Sequence, residues 1–69
     1  MYISRLFDLR DNASLTQKEI AAVLKIDQRV YSNYETGKRE IPLHHLITLA
    51  DYYNVSIDYI IGRSNRKSF

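Results

Sequence analysis

TQKEIAAVLKIDQRVYSNYETG, residues 16–37, decides how the rest of the chain is arranged. Thr16 is a favoured helix N-cap and Glu19 stands three residues later, so the segment opens with a complete capping box. Leu15 and Ile20 occupy the two positions of a hydrophobic staple, which sets the angle at which the chain enters the helix. Ile20, Ala21 and Leu24 then form one apolar stripe at helical spacing. Asp27 offers a second N-cap, Tyr31 and Tyr34 fall three residues apart on one side of the helix it starts, and Gly37 is a helix stop. The spacing predicts a helix over about residues 17–25, a tight turn, and a second helix over about residues 28–36.

Working outward, Ile3, Leu6 and Leu9 recur at helical spacing with Phe7 filling the flank, which predicts a first helix over about residues 2–11. Asn12, Ala13 and Ser14 break that pattern. Beyond Gly37 a short loop carries the adjacent cations Lys38 and Arg39, and Pro42 suits the first position of a fourth helix, where a missing N–H costs nothing. Leu43, Leu46, Ile47, Ala50 and Tyr53 give that helix its apolar stripe, and Asn54 ends it as a left-handed C-cap. Ser56 caps a last short helix running through Ile61, with Ile57, Ile60 and Ile61 inward and Gly62 closing it. The expectation is one domain over residues 2–62 followed by a basic, flexible tail, residues 63–69. No strand pattern, repeat or low-complexity segment is present.

The 69 residues are 45% hydrophobic and 26% charged, ordinary for a globular domain. Without cysteine there are no disulfides, thiolate metal sites or cysteine nucleophiles. Neither an N-terminal apolar signal region nor a run near the ~18 residues of a membrane span is present. The net charge of +2 is mild, so the placement of the cations says more than their sum. At 100° per residue, Gln28, Arg29, Ser32, Asn33 and Thr36 share one arc of the third helix, while Val30, Tyr31 and Tyr34 point toward the rest of the domain. Such an arc is a solvated face or a reading face for a DNA major groove. Gln suits an adenine edge, Arg a guanine edge, and Asn resembles Gln with a shorter reach. Six tyrosines raise the possibility of stacking on single strands, but Tyr31, Tyr34 and Tyr53 lie on apolar stripes and are read as packing. His44 and His45 lack a third ligand at helical spacing and are read as surface residues; no catalytic or cofactor-binding constellation is seen, and no enzyme is expected.

The chain resembles the DNA-binding domain of the lambda repressor and Cro family, the XRE-type helix-turn-helix. The matching residues are Thr16, Gln17, Glu19, Ile20, Ala21, Leu24, Ile26, Ser32, Tyr34, Glu35 and Gly37, continuing through Lys38-Arg39, residues 46–50 and residues 55–58. The resemblance implies an all-α fold of five helices and sequence-specific binding of double-stranded DNA by a transcriptional regulator, a repressor, in the cytoplasm of a prokaryote or phage-infected cell. It implies that Gln28, Arg29, Ser32 and Asn33 read bases, and that Gln17, Thr36, Lys38 and Arg39 contact or position the DNA backbone, Gln17 also bonding Gln28. It pairs Arg10 with Glu35 as an architectural ion pair. One departure is Lys25, where the family usually has glycine in a left-handed turn; lysine adopts that conformation at a cost of roughly 1 kcal/mol.

A single reading helix covers only a short site, and the resemblance implies the family's solution, a twofold dimer on a palindromic operator. The helix over residues 57–61 carries Tyr59 beside three isoleucines, more apolar surface than its inner face needs, and is the expected dimer contact. No ligand-binding domain is expected after it within these residues, so the module either acts alone or is a piece of a longer protein. Two rival readings stay open: an antitoxin-type module that binds DNA and masks a protein toxin, and a small metal-dependent enzyme built on His44-His45.

Overall fold

In a computed structural model describing residues 2–67, the chain folds as five helices with no strand among the described residues. They are α1 (Ser4–Asn12), α2 (Gln17–Leu24), α3 (Gln28–Glu35), α4 (Leu43–Tyr53) and α5 (Ile57–Ile60). None of them is long and apolar enough to cross a membrane.

The local signals act where the sequence puts them. Thr16 accepts from the Glu19 N–H at 3.1 Å and the Glu19 carboxylate accepts from the Thr16 N–H at 2.9 Å, so both halves of the capping box form. Asp27 caps α3 by accepting from the Arg29 N–H, and Ser56 caps α5 by accepting from that of Tyr59. Pro42 lies one position earlier than expected. It is the N-cap of α4, extended at ψ 151°, and its carbonyl accepts from the His45 and Leu46 N–H groups. α1 starts late for a similar reason, because Ile3 is extended and buried as its N-cap, leaving Tyr2 outside the helix.

Three corners turn on left-handed residues that are not glycine: Ser14 (φ 57°), Lys25 (φ 59°) and Asn54 (φ 57°). At Lys25 the N–H closes the end of α2 onto Ala22, and the Ile26 N–H reaches back to the Ala21 carbonyl. A Cβ in this region costs about 1 kcal/mol, partly recovered because glycine has more unfolded-state entropy to lose. Lys25→Gly is therefore expected to raise the unfolding free energy only slightly, by about 0.5 kcal/mol, in urea titrations. A decrease would show that the lysine side chain contributes packing that outweighs the strain.

The core joins Ile3, Leu6 and Leu9 of the N-terminal segment and α1 to Ile20, Ala21 and Leu24 of α2, Tyr31 of α3, Leu46, Leu49 and Ala50 of α4, Val55 and Ile60. Two expectations change here. The inner stripe of α4 is Leu46, Leu49, Ala50 and Tyr53, with Leu49 fully buried, whereas Leu43 (63% exposed) and Ile47 (45% exposed) face outward. In α1, Phe7 does not fill the flank of the core; it is 43% exposed, with the Arg10 guanidinium 5.3 Å from its ring centre.

The segment after Gly62, expected to be a basic flexible tail, lies against the domain as far as the described residues extend; Ser68 and Phe69 fall outside them. Arg5 of α1 is the anchor. Its Nη1 donates to the carbonyls of Tyr59 (2.7 Å) and Ser64 (2.6 Å), and its Nη2 to Asn65 Oδ1 (2.9 Å). Its guanidinium also stacks 4.1 Å from the Tyr59 ring centre. The Ser56 N–H donates to the Lys67 carbonyl, and the Lys67 ammonium lies 5.9 Å from the centre of the same tyrosine ring. Tyr59 is thus half-buried and engaged within its own chain.

Candidate nucleic-acid interface

α2 and α3 pack closely against each other, joined by the turn at Lys25, and their N-terminal ends open onto one shared concavity of about 400 Å³. Gln17, Asp27, Gln28, Arg29 and Ser32 line it. Gln17 is the first residue of α2, and Gln28 and Arg29 the first two of α3, so both helices direct their free N–H ends and positive dipole ends toward this side. Four of the expected DNA-contacting residues are therefore brought together. Asn33 and Thr36 lie further along α3. The Thr36 hydroxyl donates to the Ser32 carbonyl of its own helix at 2.8 Å. Lys38 and Arg39 are exposed just beyond, and the Arg39 N–H donates to the Asn33 carbonyl at 3.1 Å, which ties their loop to α3.

Behind this surface is a buried polar centre built on Glu35, the last residue of α3, which is only 6% exposed. Arg10 grips it with two parallel bonds, Nε to Oε1 at 2.8 Å and Nη2 to Oε2 at 3.0 Å. The Tyr31 hydroxyl donates to Oε1 at 3.0 Å and the Gln17 amide to Oε2 at 2.9 Å. Arg10 Nη1 donates in addition to the Leu15 carbonyl, so α1, the entry to α2, α2 itself and α3 share one network. The ion pair was anticipated; the Tyr31 and Gln17 bonds were not. Tyr31 and Glu35 stand at i, i+4, a signal that could have suggested the first. The second corrects the expected Gln17–Gln28 bond: the Gln17 amide nitrogen turns inward to Glu35 instead, because a buried carboxylate has the greater need of donors.

Burial pushes the Glu35 carboxyl up, but the bonds from Arg10, Gln17 and Tyr31, with the charge of Arg10, outweigh it and hold the group below its usual value. The Tyr31 hydroxyl is driven strongly upward by burial and by the charge of Glu35. At the start of α4, His45 leans on Tyr34 with ring centres 5.9 Å apart, and the His44 and His45 rings lie 4.1 Å apart. His44 is exposed as expected, whereas His45 is half-buried, and burial and the neighbouring His44 lower its pKa. Among the described residues no three or more His, Cys, Asp or Glu side chains gather as a metal site.

The Glu35 and His45 shifts have the same sign and separate windows. Both folded-state pKa values lie below the unfolded ones, so each contribution is complete above the unfolded value and lost as pH falls toward the folded one. Melting temperature is expected to decline first below about 6.5, as His45 resists protonation, and again below about 4.5, as Glu35 does. His45→Gln should flatten only the upper decline and Glu35→Gln only the lower, as read by calorimetry across pH 3–8. A profile unchanged by both substitutions would contradict the assignment.

A helix-turn-helix family profile matches residues 6–60. The chain belongs to the XRE-type helix-turn-helix family. Within the family, it is 40% identical over 62 residues to an uncharacterized HTH-type transcriptional regulator of Bacillus subtilis, YobD, covering 90% of this chain and 55% of that one. It is 42% identical over 59 residues to the B. subtilis HTH-type transcriptional regulator ImmR, covering 86% and 46%. It is 31% identical over 64 residues to the cryptic phage CTXphi transcriptional repressor RstR of Vibrio cholerae, covering 93% and 58%. The chain thus spans about half the length of these helix-turn-helix relatives. No solved structure matches it at a significant level.

Proposed function

We propose that this chain is the operator-binding part of a transcriptional repressor, reading double-stranded DNA with α3 in the major groove. The observation that carries the reading is the shared concavity, where Gln28, Arg29 and Ser32 of α3 stand beside Gln17 at the start of α2. These side chains offer the donors and acceptors that base edges require, next to two helix N-termini suited to phosphate. Lys38 and Arg39 add cations at the far end of α3, where the strand backbone would pass. The name of one relative, a phage transcriptional repressor, supports the negative sign of regulation.

One α3 offers only the base-reading side chains Gln28, Arg29, Ser32 and Asn33, so the module binds as a twofold dimer with the two α3 helices about 34 Å apart. α5 supplies the contact. Ile57, Tyr59 and the C-cap Ile61 are each partly buried against the core, with Tyr59 also engaged by Arg5 and Lys67, and the surface they leave exposed would meet the second chain. Selection of binding sites from random duplex DNA tests the whole reading. The expected result is a palindrome with half-site centres about one helical turn apart, bound by two chains. An enriched site without twofold symmetry, bound by one chain, would remove the dimer; no enrichment at all would remove DNA reading.

A further inference from the structure

Asp27 is an acidic residue on a surface otherwise built to meet a polyanion. Its Oδ1 accepts from the Arg29 N–H at 2.8 Å and so caps α3. Its other oxygen, Oδ2, has no hydrogen-bond partner among the described residues, and the ion pair found there is Arg10 with Glu35, not one to Asp27. The residue is exposed and lines the same concavity as Gln17, Gln28, Arg29 and Ser32. Capping alone does not call for the charge, since serine, threonine and asparagine cap as well without repelling phosphate.

We propose that Asp27 is a specificity residue whose free carboxylate oxygen accepts from the N4 amino group of a cytosine. This rests on the reading of α3 as the DNA-reading helix and names a contact within it. A carboxylate can only accept. Guanine (N7 and O6) and thymine (O4) present acceptors in the major groove, so they oppose it. Adenine sets its amino group beside the N7 acceptor, a pair that suits an amide better. Cytosine alone offers a donor and no acceptor on its own major-groove edge. Asp27 also stands two residues before Arg29, whose guanidinium suits a guanine, so the two would favour a G·C-containing step from opposite chemical sides. The carboxylate further weakens attraction to unrelated duplexes, because it subtracts charge from the surface that faces the phosphates.

Asp27→Asn and Asp27→Ser both keep a capping oxygen, so the melting temperature should stay close to that of the unsubstituted chain. With each variant, site selection from random duplexes and titration against an unrelated duplex are compared with the unsubstituted chain. The unsubstituted chain should enrich a half-site with one position held as cytosine. Both variants should lose that position alone, with the preference falling by about 10-fold, and should bind the unrelated duplex more tightly. If both variants return the original motif at every position, the assignment is wrong. If the unsubstituted chain enriches no motif, the DNA-reading role falls, and this contact with it.

Discussion

Glu35→Ala is expected to lower the unfolding free energy by about 3–5 kcal/mol, because it leaves the Arg10 guanidinium buried without its partner. The figure exceeds that of a surface pair for two reasons. The side chains are only 14% and 7% exposed, so solvent screens them little, and the Tyr31 hydroxyl and Gln17 amide lose their acceptor at the same time. A domain of this length has roughly 3–10 kcal/mol of total stability, so much of the variant should be unfolded at 37 °C. Thermal and urea unfolding measure this directly. Because the replaced residue also holds α3 against α1 and Gln17, operator affinity should fall even at temperatures where the variant is folded. An unaltered melting curve would mean the four bonds to Glu35 are worth nothing net.

The second large effect belongs to the reading face. Arg29→Ala should cost about 1–3 kcal/mol on the enriched operator and relax the base preference at one position, while leaving stability intact because the side chain is exposed. Lys38→Ala should weaken all duplexes alike and reduce the salt slope of binding by about one. The two substitutions differ in kind: one alters a preference, the other a charge count. Should Arg29→Ala return the same motif with uniformly weaker binding, Arg29 would be a phosphate contact and α3 would be misread.

How far the chain can be read from its residues depends on the range of the interaction. Capping is a matter of three or four neighbours, so Thr16 with Glu19, Asp27, Ser56 and the left-handed Asn54 were legible and form as expected, whereas the left-handed turn at Lys25 followed only from the family resemblance. The inner face of α4 was legible only in part. Leu46, Ala50 and Tyr53 belong both to a stripe containing Leu43 and Ile47 and to one containing Leu49. The arc of Leu46, Leu49, Ala50 and Tyr53 is centred ~70–110° away from Leu43 and Ile47, and packing against α2 and α5 chooses it. Phe7 fails for the same reason, lying ~130° from the middle of the Leu6 and Leu9 arc. At the candidate site, the arc of α3 follows from helical period alone. Gln17 meeting Glu35, eighteen positions away, does not, because only the assembled fold reveals which donor a buried carboxylate will recruit. Asp27 was legible as a cap, and its free oxygen beside the reading residues became visible only once α2 and α3 were seen to share a concavity.

The Arg5 clasp brings positions 5 and 65 within one hydrogen bond, so the described chain is nearly a closed ring. Linear order and spatial order then part company: the first and last segments are neighbours, and neither can peel away without breaking the bonds that hold the other. Amide exchange at Arg63 and Ser64, whose N–H groups are held by the Asp58 carbonyl, should therefore rise and fall with that of α1 rather than with distance from the chain end. Were the ring closed covalently, the chain would also have fewer shapes to explore when unfolded. A covalent link between the described segments on either side of the Arg5 clasp is expected to raise the melting temperature through the disordered state.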